Sequence, residues 1–308
     1  MSRRKRKGRP VNGILLLDKA IGYSSNKVLQ QLKYIFQAQK AGHTGSLDPL
    51  ASGLLPICFG DATKLSSYML ESDKTYIAEA KLGAKTDTAD AEGEVIETRL
   101  VPELSESDLE AVLQQFKGEQ KQLPPMYSAL KHKGQPLYKL ARNGQHVERE
   151  PRTIVIYDIK LLAYESNEQK IEFSVRCSKG TYVRTLAEDI GEKLGCGAYI
   201  SALRRTHVGN FNVDDAYNPH ELELIAEQDG LEGLDQLLLP VETAIEDWPE
   251  VILSGDNAYY LLQGQAVLVP KAPTAGRVRL FEDNNRFLGI GEILEDGRVA
   301  PKRLINVA

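Results

Sequence analysis

Cysteine is scarce: three residues in 308, Cys58, Cys177 and Cys196. They are odd in number and far apart, which excludes a disulfide framework and a paired-cysteine metal site and leaves reduced thiols in a cytosol. Long apolar runs are missing too, and none approaches the roughly 20 residues that span a bilayer. The opening MSRRKRKGRP leads into no secretory hydrophobic segment, so the expected location is the cytoplasm, with no membrane partner. Bases are absent from residues 206–270, which hold thirteen acids. Between Lys40 and Asp61 the only carboxylate is Asp48, inside AGHTGSLDPLASGLLPICFG.

A net charge of −5 argues at first against a nucleic-acid partner, yet it is an average over segregated segments. Outside 206–270 the chain carries all 38 of its bases and a net charge of +8. The tail (Arg3, Arg4, Lys5, Arg6, Lys7, Arg9) alone reads as a solvated arm. Basic stretches within folded segments, at 131–152, 179–184, 204–205 and 271–303, point instead to phosphate contacts.

With 42% hydrophobic residues, the length fits one large and one small domain. NGILLLDK (12–19) is a short apolar run, followed by a turn at Gly22 and a helix from Ser24 or Ser25 in which Val28, Leu29, Leu32, Ile35 and Phe36 share a face. A second helix is expected over 63–70. KTYIAEAKLG (74–83) alternates with the period of a half-buried strand. A capping box at Ser105 and Asp108 opens another helix. Strands follow at 153–163, 170–177 and 198–208, with a helix at 181–194. Short helices fill the acidic stretch (220–228, 241–246). Beyond Trp248 come a helix at 257–264 and short strand candidates divided by Gly, Asn and Asp turns, the pattern of a compact β-barrel. The reading is α+β: a mixed, largely antiparallel sheet with flanking helices, then a small C-terminal β-barrel. The divisions are a basic tail (1–10), a large domain (11–250) and a barrel (251–308).

Glycines and prolines break up the 41–60 stretch, which is expected to be a loop that holds Asp48 over Leu47, Leu50, Leu54 and Leu55. An Asp before Pro is by itself a turn former, and His43 by itself a structural histidine. No Gly-rich phosphate loop and no His/Cys/carboxylate ligand set is present, so neither cofactor nor metal is expected.

GHTGSLDPLASGLLPICFGDATK resembles the catalytic motif of the TruB family of tRNA pseudouridine synthases. The likeness continues in family order through VNGILLLDKAIGYSSNKV, DKTYIAEAKLGAKTDTADAEGEV, PPMYSALKHKGQPLYKLAR and CSKGTYVRTLAEDIGEKLGCGAYISALRRTHVG, and the C-terminal end resembles the family's PUA-type barrel. Ala20, where Pro is common, and Ser46 and Ser52 depart from the pattern without removing a chemical group.

The resemblance implies an isomerase that converts the uridine at position 55, in the T-arm loop of tRNA, to pseudouridine by base flipping and rearrangement of the glycosidic bond. It assigns Asp48 as the catalytic carboxylate, Arg184 as its partner and Tyr76 as the tyrosine stacked on the base. A nearby guanidinium is expected to lower the Asp48 pKa. His43 would prop the vacated space, Tyr182 and Leu203 line the pocket, Lys19 lie near its rim, and Arg204 and Arg205 face phosphates. The Pro-, Gly- and base-rich 124–152 segment reads as a lid, and the default oligomeric state is a monomer. A non-catalytic RNA-binding or tRNA-folding protein would not need Asp48, Tyr76 and Arg184 together. A glycosidase would pair two carboxylates, whereas the central motif has one acid. Whether Asp48 attacks C1′, attacks C6 of the uracil or works through a glycal is left open by the sequence.

Overall fold

The structure, a computed structural model, describes residues 8–145 and 147–305. Most of the basic tail, residues 1–7, lies outside them. Arg9 is described and forms a two-pronged ion pair with Asp235, its Nη2 2.7 Å from Oδ1.

In chain order the elements are β1 (Gly13–Lys19), α1 (Ser25–Ile35), β2 (Ala41–His43), β3 (Ala51–Phe59), α2 (Ser66–Glu71), β4 (Lys74–Leu82), β5 (Ala84–Thr86) and β6 (Val95–Thr98). Then come α3 (Glu106–Gln114), β7 (Gly118–Gln122), β8 (Lys131–His132), β9 (Gln135–Pro136), α4 (Leu137–Arg142), β10 (Arg152–Glu165), β11 (Lys170–Cys177) and α5 (Val183–Lys193). The remainder is β12 (Ala198–Val208), β13 (Phe211–Asn212), α6 (Pro219–Gln228), α7 (Gly230–Gln236), β14 (Glu250–Leu253), α8 (Gly255–Leu262), β15 (Gly276–Glu282), β16 (Phe287–Ile293) and β17 (Val299–Leu304).

A nine-stranded mixed sheet runs in the order β1-β3-β12-β4-β11-β10-β7, with β2 beside β3 and β13 beside β12. Every pairing is antiparallel except β3 with β12. Alternation explains why the β1 run is apolar throughout: Leu15 and Leu17 enter the cluster under α1, α3, α5, α6 and α7, while Ile14 and Leu16 enter a second cluster on the opposite face. On β4 the row Tyr76, Ala78, Ala80, Leu82 faces the first cluster, as its periodicity predicts.

Two segments depart from expectation. Residues 51–59, read as part of a loop, form a nine-residue strand. Gly53 permits this with φ +100°, because a Cβ there would meet the Arg205 carbonyl oxygen at 2.3 Å. The helix expected at 63–70 is a 3-10 turn (Gly60–Lys64) followed by α2. The capping box at Ser105 is present, its hydroxyl accepting from the Asp108 N–H.

In place of a closed barrel, the C-terminal residues form a four-stranded sheet, β14-β15-β16-β17, with β14 parallel to β15. The strand candidate at 265–270 contributes one isolated bridge, Val267 to Val299, so no pairing closes the ring among the described residues. Phe287, Ile290 and Ile305 of this unit enter the same cluster as Ile14, Leu16, Leu54 and Met69. Arg277 stacks over Tyr68 and Trp248 at 5.2 and 5.7 Å. No described helix is long and apolar enough to cross a membrane.

Candidate active site

The parallel β3–β12 pairing builds the site. It aligns Ala51 with Leu203 and Gly53 with Arg205, and β12 in turn aligns Leu203 with Ala78 and Arg205 with Tyr76. Directly opposed residues project from the same face of a sheet, so Tyr76, Leu203 and Arg205 stand together beneath the β2–β3 loop that carries Asp48.

That loop is tied down on several sides. The buried Ser25 hydroxyl donates to the Leu47 carbonyl at 2.9 Å and accepts from the Leu47 N–H at 2.7 Å. The Gly22 N–H donates to the Pro49 carbonyl at 2.8 Å, and the Thr44 N–H to the Pro56 carbonyl at 3.2 Å. Arg205, 1% exposed, donates from Nε to the Leu54 carbonyl (2.7 Å) and from Nη2 to the Gly45 carbonyl (3.1 Å). Its expected place facing phosphates is therefore corrected: β12 buries this side chain, and its guanidinium braces the loop that carries Asp48 from below. Arg204, on the opposite face, is half-exposed and holds Asp18 through both terminal nitrogens, at 3.0 and 2.7 Å.

Arg184, near the start of α5 and 5% exposed, reaches Asp48 with Nη2 at 3.0 Å. The same guanidinium meets Asp90 through Nη1 at 2.9 Å, the Thr88 carbonyl at 3.1 Å and the Tyr127 carbonyl at 2.7 Å. Asp90 is 2% exposed and also accepts from the Thr88 hydroxyl at 2.6 Å and the Glu92 N–H at 3.1 Å. Sequence reasoning missed this second carboxylate, because DTADAEGE reads as a solvated acidic turn. The signal that could have found it is the need of a buried arginine for a fixed counter-charge.

The electrostatics also depart from expectation. Burial pushes the Asp48 pKa up, and this outweighs the downward pull of Arg184; Asp90 adds to the rise and Lys19 opposes it. Arg184 cannot hold Asp48 low by itself, because its charge is shared with Asp90. Lys19 is fully buried rather than at a rim, and donates to the Ala20 and Tyr23 carbonyls at 2.9 and 2.8 Å. Burial drives its pKa down to about 8.

Burial raises the Tyr76 phenol, against a downward pull from the neighbouring Arg205. Burial and Arg205 together lower the His43 pKa, which favours a neutral ring, and its Nδ1 is buried without a hydrogen-bond partner. Tyr182 is half-buried ahead of α5, its main chain clasped by the Gln122 amide, which accepts from its N–H (2.8 Å) and donates to its carbonyl (3.1 Å). Gln122 ends β7, where the 123–151 segment begins. That segment has a small core of its own, Met126, Leu137 and Leu140, with Leu130, Ala141 and Val147 packed around it.

The site thus assembles Asp48, Tyr76, Arg184, His43, Tyr182 and Leu203, and places Lys19 and Arg205 beneath them as supports. One carboxylate opens toward solvent above an aromatic side chain, with a fixed cation behind it. Such a group is equipped to act as a nucleophile or base.

Residues 33–183 match the TruB family pseudouridylate synthase (N terminal domain), residues 184–246 the tRNA pseudouridylate synthase B C-terminal domain, and residues 249–305 the pseudouridine synthase II TruB, C-terminal. A protein of Pseudomonas fluorescens named tRNA pseudouridine synthase B is 55% identical over 306 residues, 99% of each chain. One of the same name from Nitrosococcus oceani is 57% identical over 302 residues, 98% of this chain and 97% of its own. Among solved structures, a chain of a Cbf5-Nop10-Gar1 complex superposes with a TM-score of 0.72 at 26% identity, covering 95% of this chain and 83% of that one. By its sequence over nearly its whole length, the chain belongs to the TruB family of pseudouridine synthases.

Proposed function

We infer that this protein isomerises a uridine of tRNA to pseudouridine, as the names of its full-length relatives indicate for them. The finer reading is that the target is the uridine at position 55 of the T-arm loop, taken out of its stack before reaction. The observation that carries the catalytic reading is the Asp48 carboxylate, 3.0 Å from Arg184 and open on its other side.

The reaction breaks the N1–C1′ bond and forms C5–C1′. The C5 proton leaves and N1 gains one, so no atoms are exchanged with a co-substrate. Asp48, ionised, supplies the charge that lets the base depart and return. Tyr76, opposite Arg205 and one same-face pair along from Leu203 on β12, lies under the uracil plane. Tyr182 and Leu203 wall the pocket, and neutral His43 fills space left by the extruded nucleotide. Extrusion costs a few kcal/mol, which contacts to the flipped base and its backbone offset.

The 123–151 segment with Lys131, Lys133, Lys139 and Arg142 grips the T-arm, and residues 251–308 form a second RNA-binding unit. The protein acts as a monomer in the cytoplasm. The test is pseudouridine formation at the T-loop of an unmodified tRNA transcript, wild type beside Asp48→Asn, with no cofactor added. Conversion by wild type alone, with tRNA bound by both, supports the reading. Binding without conversion by wild type leaves a non-catalytic RNA-binding protein.

A further inference from the structure

The turn between β1 and α1 presents side chains that neither the core nor the catalytic machinery uses. Ile21 and Tyr23 are 62% and 41% exposed, and Ala20, Gly22 and Ser24 are exposed around them. The backbone that carries them is fixed. The Gly22 N–H is bonded to the Pro49 carbonyl, one residue from Asp48. Lys19 Nζ holds the Tyr23 carbonyl, and Ser25 is locked to Leu47. A large aromatic ring thus stands in water on a rigid support at the edge of the catalytic loop.

The charge along this stretch of sequence is of one sign. No acid occurs between Asp18 and Asp48, whereas Lys27, Lys33 and Lys40 do. The exposed Lys27 places Nζ 4.7 Å from the centre of the Tyr23 ring, and no carboxylate pairs with it among the described residues. A flat π-surface beside a free cation is the pairing that single-stranded nucleic acid uses, with base on ring and phosphate on ammonium.

The geometry points to Tyr23 and Lys27 as a nucleotide subsite. Tyr23 stacks an unpaired RNA base adjacent to the target uridine, and Lys27 meets that nucleotide's phosphate. This rests on the proposed tRNA reading and deepens it. Extruding one uridine leaves its neighbours short of a stacking partner, and an aromatic shelf beside the catalytic loop replaces what the RNA gives up. Stacking ignores base identity, so the subsite adds affinity without adding sequence preference.

The experiment uses the full chain and an unmodified tRNA transcript carrying 2-aminopurine in the loop next to the target uridine. Equilibrium binding, its salt dependence, 2-aminopurine quenching and pseudouridine formation are read for wild type, Tyr23→Ala, Tyr23→Phe and Lys27→Ala. Tyr23→Ala is expected to weaken binding roughly tenfold and to lose quenching, while Tyr23→Phe keeps both. Lys27→Ala is expected to lower the salt slope by about 1. Tyr23→Ala binding and quenching like wild type, or Tyr23→Phe failing as badly as Tyr23→Ala, overturns the subsite. In those cases the wild type still makes pseudouridine and the reading of the enzyme stands. A wild type that binds tRNA without converting it overturns the enzyme reading while the stacking readouts still decide the subsite.

Discussion

Asp90 holds Arg184 by its Nη1 at 2.9 Å, from a position almost wholly shut off from water. The arginine that faces Asp48 is therefore anchored by a carboxylate that substrate does not reach. Removing one partner of a buried pair leaves a charge stranded, at a cost of about 3–5 kcal/mol. Asp90→Asn keeps the shape and one acceptor oxygen, so it is expected to lower the melting temperature and to cut the single-turnover rate on the order of 100-fold, with tRNA affinity nearly unchanged. An unchanged rate would remove Asp90 from the support of the site.

Arg184→Lys tests the fork itself. An ammonium cannot meet Asp48, Asp90 and the carbonyls of Thr88 and Tyr127 at once, as the guanidinium does. The expected loss is on the order of 10²–10³ in the rate of the chemical step, measured by rapid quench with tRNA saturating. Retention of most of the rate would mean that charge alone suffices.

The pH dependence follows from the raised pKa of Asp48. The proposed reaction uses the ionised form, so the single-turnover rate is expected to fall on the acid side with a midpoint above the ordinary carboxylate value of 3.8. Lys19 opposes the rise, so Lys19→Met moves that midpoint to higher pH. A folded-state pKa above the unfolded one means that folding favours the protonated group. Stability is then gained as pH falls through the folded value, and the ionised carboxylate costs stability near neutrality. Asp48→Asn is accordingly expected to melt no lower than wild type, by calorimetry at pH 7.

Gly53→Ala attacks the scaffold rather than the chemistry. The methyl group would lie 2.3 Å from the Arg205 carbonyl oxygen on a backbone already at φ +100°. The β3–β12 pairing must shift, and a loss of roughly 2–4 kcal/mol is expected by denaturant titration. Activity should fall with it, because the same pairing sets Arg205 beneath the loop that carries Asp48.

Leu140→Ser opens the small core of the 123–151 segment, which the main hydrophobic clusters do not share. KM for tRNA is expected to rise about tenfold or more while the melting transition of the main sheet stays in place. A matching fall in melting temperature would show that the segment is part of the global fold.

Where one rule dominated locally, the sequence was a sufficient guide. The period of β4, the capping box at Ser105 and the helix at 181–194 are each settled within a few residues. β3 was not legible, because Gly53 and Pro56 read as breakers; Gly53 fits because β12, some 150 residues away in sequence, approaches it closely, and Pro56 lies beyond that pairing, opposite Leu16 of β1. Asp90 and Arg205 were obscured for a related reason. Charge in a sequence reads as exposure, and only the tertiary fold supplies the carbonyls and counter-charges that make burial tolerable. Asp48, Tyr76 and Arg184 were reached through family likeness, since each alone has an ordinary structural explanation.

The strand order has a further consequence for the nascent chain. Within the main sheet, among the described residues, the ribbon of β1, β2 and β3 reaches the remaining strands only across β12. When Asp48 leaves the ribosome, its neighbour on the sheet has yet to be made, and the brace under its loop comes with Arg205. The N-terminal third must therefore wait, with an apolar ribbon unpaired along one edge, until the chain has been extended past residue 208. Synthesis order and assembly order run opposite to each other here: Asp48 is translated early, and the brace under its loop arrives only with Arg205.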